Sequence, residues 1–206
     1  MTEQQEPKKK GSDKIFYYVL AGILIAAVAF AVIMLISPKE PRPEVITYNN
    51  FEFQKIGGLW YSNWQQGDNV YILSLRFNPA ETEEVKILGS LHENSTFNNR
   101  DTIYITFDPV GDDLTHVALA AAEISLNLNR ALGVNVTAAC TSNESIACHD
   151  RPILTCNNTD KAIIFLKESD ESKMILTDNC MILQGHGMEL MRVVDRILYQ
   201  WYGIMD

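Results

Sequence analysis

An unbroken run of 22 uncharged residues, Ile15 to Ile36 (IFYYVLAGILIAAVAFAVIMLI), constrains this chain more than any other feature. A helix needs about 20 consecutive apolar residues to cross the hydrocarbon core of a bilayer. Phe16, Tyr17 and Tyr18 sit at one end of the run, where aromatic rings favour the membrane interface. Lys8, Lys9, Lys10 and Lys14 precede it, whereas Lys39 and Arg42 beyond it are offset by Glu40 and Glu44. An excess of Lys and Arg marks the cytoplasmic side. The expectation is a cytoplasmic tail over residues 1–14, a transmembrane helix over 15–37, and an extracytoplasmic remainder. Pro38, Pro41 and Pro43 predict a stiff spacer over 38–46.

Two processing alternatives are weaker. A cleaved signal peptide carries a shorter apolar core and a small-residue cleavage site, and Ser37-Pro38-Lys39 is a poor one. Lys10-Gly11-Ser12 has the look of a pilin-type cleavage point, but Asp13 and Lys14 intervene before the apolar run.

Charge is distributed unevenly. Residues 1–14 hold four lysines against three acids, and the remainder holds 13 basic and 23 acidic residues, a balance of −10. Nucleic-acid binding rests on neutralising phosphates with Lys and Arg, so a nucleic-acid function is excluded. An acidic surface also keeps a domain soluble.

Cys140, Cys148, Cys156 and Cys180 all fall in the outer segment. They form no CxxC pair, and their spacings exceed those of zinc knuckles. An even count outside the cytoplasm predicts two disulfides. Three connectivities are possible; Cys140–Cys148 with Cys156–Cys180 is preferred, because the first closes a polar loop and the second ties two strand-like segments. Asn94, Asn135, Asn143 and Asn157 each head an Asn-x-Ser/Thr sequon. Asn143 and Asn157, in polar loops, are better glycosylation candidates than Asn135 at a strand start.

Residues 47–100 read as a strand-rich subdomain. Leu59–Trp64 and Val70–Phe77 flank Gly67-Asp68-Asn69 and predict a hairpin, with Tyr71, Leu73, Leu75 and Phe77 on one face. Glu83–Leu88 is a further short strand. Residues 101–206 read as an α/β subdomain. Strand Thr102–Asp108 leads through a turn, capped by Asp112, into a helix from about Asp113 to Leu132 with a stripe of Leu114, Val117, Ala121, Ile124, Leu128 and Leu132. Val134–Ala139 then predicts a parallel partner by right-handed crossover. Ala162–Leu166, Lys173–Thr177 and Cys180–Leu183 are strands, the last two forming a hairpin. A helix from about Gly187 closes the chain, with Leu190, Val194, Ile197, Trp201 and Ile204 buried. The fold class is α+β or α/β: one transmembrane helix, a small strand-rich segment, and a two-layer domain with two helices on one mixed sheet.

Four stretches carry a resemblance: YNNFEF and GGLWY within Tyr48–Tyr61, ITFDP (Ile105–Pro109), ALAAAEISLNL (Ala118–Leu128) and DRILYQWYGI (Asp195–Ile204). Together they resemble a family of small, single-span, membrane-anchored archaeal proteins without assigned function. The resemblance covers most of the outer domain and implies an archaeal cell surface. It carries over no active site.

No catalytic, cofactor or metal motif stands out. Cys148-His149-Asp150 groups a thiol, an imidazole and a carboxylate, but neighbours in sequence rarely face one another, and a disulfide accounts for Cys148. His116, Ala120, Glu123, Asn127 and Arg130 share a helix face that reads as solvated. His116 and Glu123 lie two turns apart, roughly 10 Å, too far to share a metal ion. Gly185-His186-Gly187 joins a strand to a helix, a place where free N–H groups can hold an anion, without the full glycine fingerprint. Asp108 ends a strand where α/β sheets place functional groups. Asp108, His116 and His186 are therefore the ligand-site candidates, and no carboxylate pair emerges. Trp60, Tyr61 and Trp64 read as core aromatics. The functional expectation is an anchored, non-enzymatic structural or interaction module, binding an envelope protein or a copy of itself. A small envelope hydrolase or ligand-binding domain and a pilin-like filament subunit are the alternatives.

Overall fold

A computed structural model describes residues 12–36, 43–91 and 95–206. The chain divides into two units, Met1–Arg42 and Pro43–Asp206. In the first, α1 (Ser12–Ile36) is a continuous helix. Its stretch Ile15–Met34 is long and apolar enough to cross a membrane, and none of it is buried within the protein.

The second unit opens with an antiparallel meander: β1 (Glu44–Tyr48), β2 (Phe51–Ile56), β3 (Leu59–Gln66) and β4 (Asn69–Leu75), paired in that order. The first residues after Pro43 are therefore strand, which corrects the spacer proposed for 38–46; residues 38–42 lie outside the described residues. Asn49-Asn50, with φ of 44° and 68°, and Gly57-Gly58, with φ of 60° and 85°, make the first two turns. Positive φ at both central residues matches the strand twist of tight hairpins, and Asn and Gly tolerate it best. The expected β3–β4 hairpin is present, with Gly67-Asp68 at its tip and Leu73 and Leu75 buried.

A single helical turn follows, α2 (Pro79–Thr82). Asn78 Oδ1 accepts from the Glu81 N–H, and the Glu81 carboxylate accepts from the Asn78 N–H. This reciprocal cap holds the chain helical, so the strand expected from Glu83 starts later, as β5 (Lys86–Gly89).

The remaining elements are β6 (Thr102–Phe107), α3 (Leu114–Leu132), β7 (Asn135–Ala138), β8 (Ala162–Glu168), β9 (Lys173–Leu176), β10 (Cys180–Gly185) and α4 (Met188–Trp201). With β5 they form a six-stranded mixed sheet of order β5-β9-β10-β8-β6-β7. β6 pairs parallel with β7 across the α3 crossover, and β9 and β10 form the expected hairpin. β5 pairs parallel with β9. The segment before residue 100 thus supplies an edge of the second sheet, and both sheets share one hydrophobic core.

Helices α3 and α4 pack on the six-stranded sheet and on each other, as expected for the α/β part. The four-stranded sheet adds a third layer over the same helices. Phe53 meets Tyr199 edge-on, with ring centroids 5.7 Å apart, and the Trp64 indole N–H donates to the Tyr202 carbonyl at 2.8 Å. Trp60 and Trp64 are core residues and Tyr61 is half-buried. The opposite face of the six-stranded sheet is covered by Ala139 and Leu154 over Ile163 and Cys180. There the disulfides Cys140–Cys148 and Cys156–Cys180 close, with Cα separations of 6.0 and 5.3 Å. Both match the preferred connectivity.

Candidate functional site

Glu123 lies in the apolar stretch of α3, between Ala120 and Ile124, both completely buried. The face expected to be solvated is mostly not. Ala120 and Glu123 are buried, Asn127 and His116 are half-buried, and Arg130 alone of the five is exposed. The neighbours of this face account for the correction: Asp195 of α4 and Arg76, just past β4, stand against Glu123, and Tyr202, after α4, bonds Asn127.

Asp195 of α4 is 0% exposed and comes to the same place. Its Oδ2 accepts from the Arg76 and Phe77 N–H groups at 2.9 and 2.8 Å. Tyr199, one turn on, donates to the Phe77 carbonyl at 2.6 Å. Residues 76–77, just past β4, are therefore bolted to α4 from both sides of the chain. Arg76 Nε stands 3.3 Å from Glu123 Oε2. Glu123 Oε1 and Asp195 Oδ1 are both buried and lack a conventional donor. The two carboxyls are electrostatic neighbours in this buried site.

Burial pushes Asp195 well above the usual carboxylate range, and the neighbouring Glu123 charge pushes it further. Burial also raises Glu123, opposed by the bond from Asp195 and by the Arg76 charge. The Arg76 charge favours the ionised form of Glu123, and the larger upward push falls on the more deeply buried Asp195. Two carboxyls in one low-dielectric site cannot both ionise cheaply. Because Asp195 is sealed from solvent with Oδ2 committed to the backbone, the pair fixes Glu123 and Arg76 in place and leaves no exposed acid on Asp195.

Above this pair lies a cleft of about 200 Å³ between β4 and α3. Its floor holds Glu123, Arg76, Asn127 and Tyr202; its rim includes Ile72, Leu126 and Arg130. Ile72 and Leu126 are 66% and 59% exposed. The Tyr202 hydroxyl donates to Asn127 Oδ1 at 2.6 Å, and Asn127 Nδ2 donates to the Glu123 carbonyl at 2.8 Å. Burial raises the Tyr202 hydroxyl above its ordinary range, so it stays a donor.

The residues singled out from sequence lie elsewhere. Asp108 is exposed, and its carboxylate accepts from the Val110 N–H at 3.1 Å. Asp112 does not cap α3: Asp113 occupies that position, without a side-chain capping bond. The start of α3 is instead satisfied by Glu168, at the end of β8, which accepts from the N–H groups of Asp112 and Asp113 at 3.0 and 2.9 Å. Asp113 bonds His116 Nδ1 at 2.8 Å and accepts from the Gly187 N–H at 3.1 Å. The His116 bond holds the Asp113 carboxyl below its usual range. Asp113 thus takes up the Gly187 N–H that an anion at Gly185-His186-Gly187 would use. His186 is exposed, and none of Asp108, His116 and His186 lines the cleft. Among the described residues no group of three or more His, Cys, Asp or Glu side chains could hold a metal ion.

Cys148 is committed to its disulfide, away from any pairing with His149. Asn135, Asn143 and Asn157 are exposed, Asn135 at the first position of β7. Asn94 lies outside the described residues.

The chain matches no protein-family model, and neither a curated protein nor a solved structure proved similar to it.

The carboxyl pair left a signal in the sequence. Asp195 interrupts MRVVDRILY with apolar residues at Met191, Leu198 and Tyr199, three or four positions away on its own face. An acid within such a stripe is buried and needs a partner. Which partner depends on how α3 and α4 meet, and no spacing along the chain encodes that.

Proposed function

We propose that the protein is a membrane-anchored binding module. In this proposal α1 spans the bilayer with residues 1–14 in the cytoplasm, and the domain from Pro43 onward meets a partner outside through the β4–α3 cleft. The observation that carries the proposal is the cleft itself. Single exposed aliphatic side chains are ordinary on protein surfaces, but here Ile72 and Leu126 flank one concavity with a charged, rigidly held floor. Concave sites with an apolar rim and a few fixed polar groups are the usual form of a binding site. The orientation is supported by the lysine cluster before α1, by the two disulfides, and by the exposed sequons at Asn143 and Asn157. The resemblance in four stretches favours an archaeal cell surface.

A photo-crosslinking residue at Leu126, in intact membranes, tests the proposal. A discrete adduct that is lost when Ile72 is changed to Asp is the expected outcome. No adduct above that from a crosslinker at exposed Asn63 would count against it. Intact mass of the extracted protein, measured in parallel, removes the filament-subunit alternative if the N-terminus is unclipped.

A further inference from the structure

Charge is out of balance inside the cleft. The outer part of the chain is strongly acidic, yet the cleft brings together two guanidinium groups, Arg76 and Arg130, and one carboxyl group that reaches it, Glu123. Glu123 is already engaged with Arg76 Nε. Arg130, exposed in the last turn of α3, has no carboxylate within ion-pair distance among the described residues. Arg76 has no acidic partner there besides Glu123, and its buried Nε makes no well-aligned hydrogen bond.

Hydrogen-bonding capacity points the same way. The Asn127 amide is committed at both ends, and the Tyr202 hydroxyl proton is spent on it. What the cleft has left to offer is chiefly the N–H groups of two arginines, beside the aliphatic side chains of Ile72, Leu126 and Leu119. A cation would meet net positive charge and no free carboxylate. A neutral apolar molecule would leave Arg130 without a charged partner.

We infer that the β4–α3 cleft binds a small amphiphilic anion, its carboxylate or phosphate head between Arg76 and Arg130 and its apolar part along Ile72, Leu126 and Leu119. Guanidinium groups match both heads through paired N–H···O bonds. Pockets for drug-sized ligands hold roughly 300–1,000 Å³, so a cleft of about 200 Å³ takes a head with a short chain. The inference rests on the cleft being the contact surface proposed above.

The full-length protein in nanodiscs of zwitterionic phosphatidylcholine is the material for the test. Saturation-transfer NMR would follow hexanoate and hexyl phosphate, with hexanol and hexylamine as controls. Saturable binding of the two anions is expected, with at least tenfold weaker binding of both controls. Arg130→Gln, at an exposed position, should weaken anion binding at least tenfold with the tryptophan emission spectrum unchanged; Leu126→Glu should do the same by repulsion. Equal binding of hexanol, or unchanged hexanoate binding by Arg130→Gln, would overturn the inference. Discs containing phosphatidylglycerol separate the sources: displacement of hexanoate assigns the head to a lipid, and retention assigns it to a soluble anion. A crosslinked partner at Leu126 without anion binding would defeat this inference and spare the binding module; neither signal would defeat both.

Discussion

Asp195 shows how much one side chain can determine. It holds residues 76–77 through two backbone bonds and α3 through Glu123. Asp195→Asn keeps this pattern, since an amide oxygen can take both N–H groups. Asp195→Ala leaves two backbone N–H groups unpaired, a loss on the order of 3 kcal/mol. Both follow from chemical denaturation. The pH dependence separates the variants further. A carboxyl raised in the folded state contributes its full stabilisation below the ordinary carboxylate range and loses it as pH rises through the folded value. The natural protein should therefore weaken as pH climbs above that range toward the raised value of Asp195, and Asp195→Asn should show a flatter profile. A steeper alkaline loss in Asp195→Asn than in the natural protein would contradict this assignment.

Among the elements, α4 has an unusual start. Gly187 precedes it at φ 58° and ψ −131°, with no side-chain cap, and the strand before it ends on Gly185. A Cβ at Gly185 would stand 2.7 Å from the Leu190 nitrogen and 2.9 Å from the Glu189 carbonyl carbon. Both are backbone atoms and cannot turn aside. Gly185→Ala should therefore cost roughly 1–3 kcal/mol, as overpacking does, visible as a lower thermal midpoint; an unchanged midpoint would show that the β10–α4 junction can spread. The same junction shows where sequence reading succeeds and fails. Glycine between a strand and an amphipathic helix announced the turn, and the α4 stripe of Leu190, Val194 and Ile197 was legible because its spacing is local, whereas Trp201 is only half-buried and Ile204 is buried past the end of the helix. Glu168 as the partner of the α3 start was not legible, since it arrives from a strand more than 50 residues later. Glu123 was assigned to water for a related reason: Asp195 and Arg76, which stand against it, arrive from elsewhere in the chain, and the sequence of α3 does not say so.

At the scale of the molecule, the disulfides and the apolar helix bear on compartment. Cys156–Cys180 closes a loop 24 residues apart in sequence, and a cross-link of that span stabilises by about 3 kcal/mol. The protein extracted from membranes should take up four alkyl groups only after reduction, and Cys180→Ala should lose about that much stability. Four thiols alkylated without reduction would put the domain on the reducing side of the membrane and undo the proposed orientation. The preferred connectivity rested on the polar loop between Cys140 and Cys148 and on tying two strand-like segments through Cys156 and Cys180, and both pairs close so. The three-layer arrangement was not, because nothing local says that the meander shares its core with the last helix.

That shared core sets an order of assembly. Synthesis from the N-terminal end delivers β1–β4 first, and their pairing is entirely between neighbours. The inner surface of that meander, Phe53, Trp60 and Trp64, is covered by Tyr199 and Tyr202, and β5 waits for β9. The hairpins can form at once, yet their aromatic side stays open for the time it takes to deliver more than a hundred further residues. Non-local closure of this kind is slow and exposed to aggregation. The most vulnerable moment in the life of this protein is thus the interval before its last helix is made.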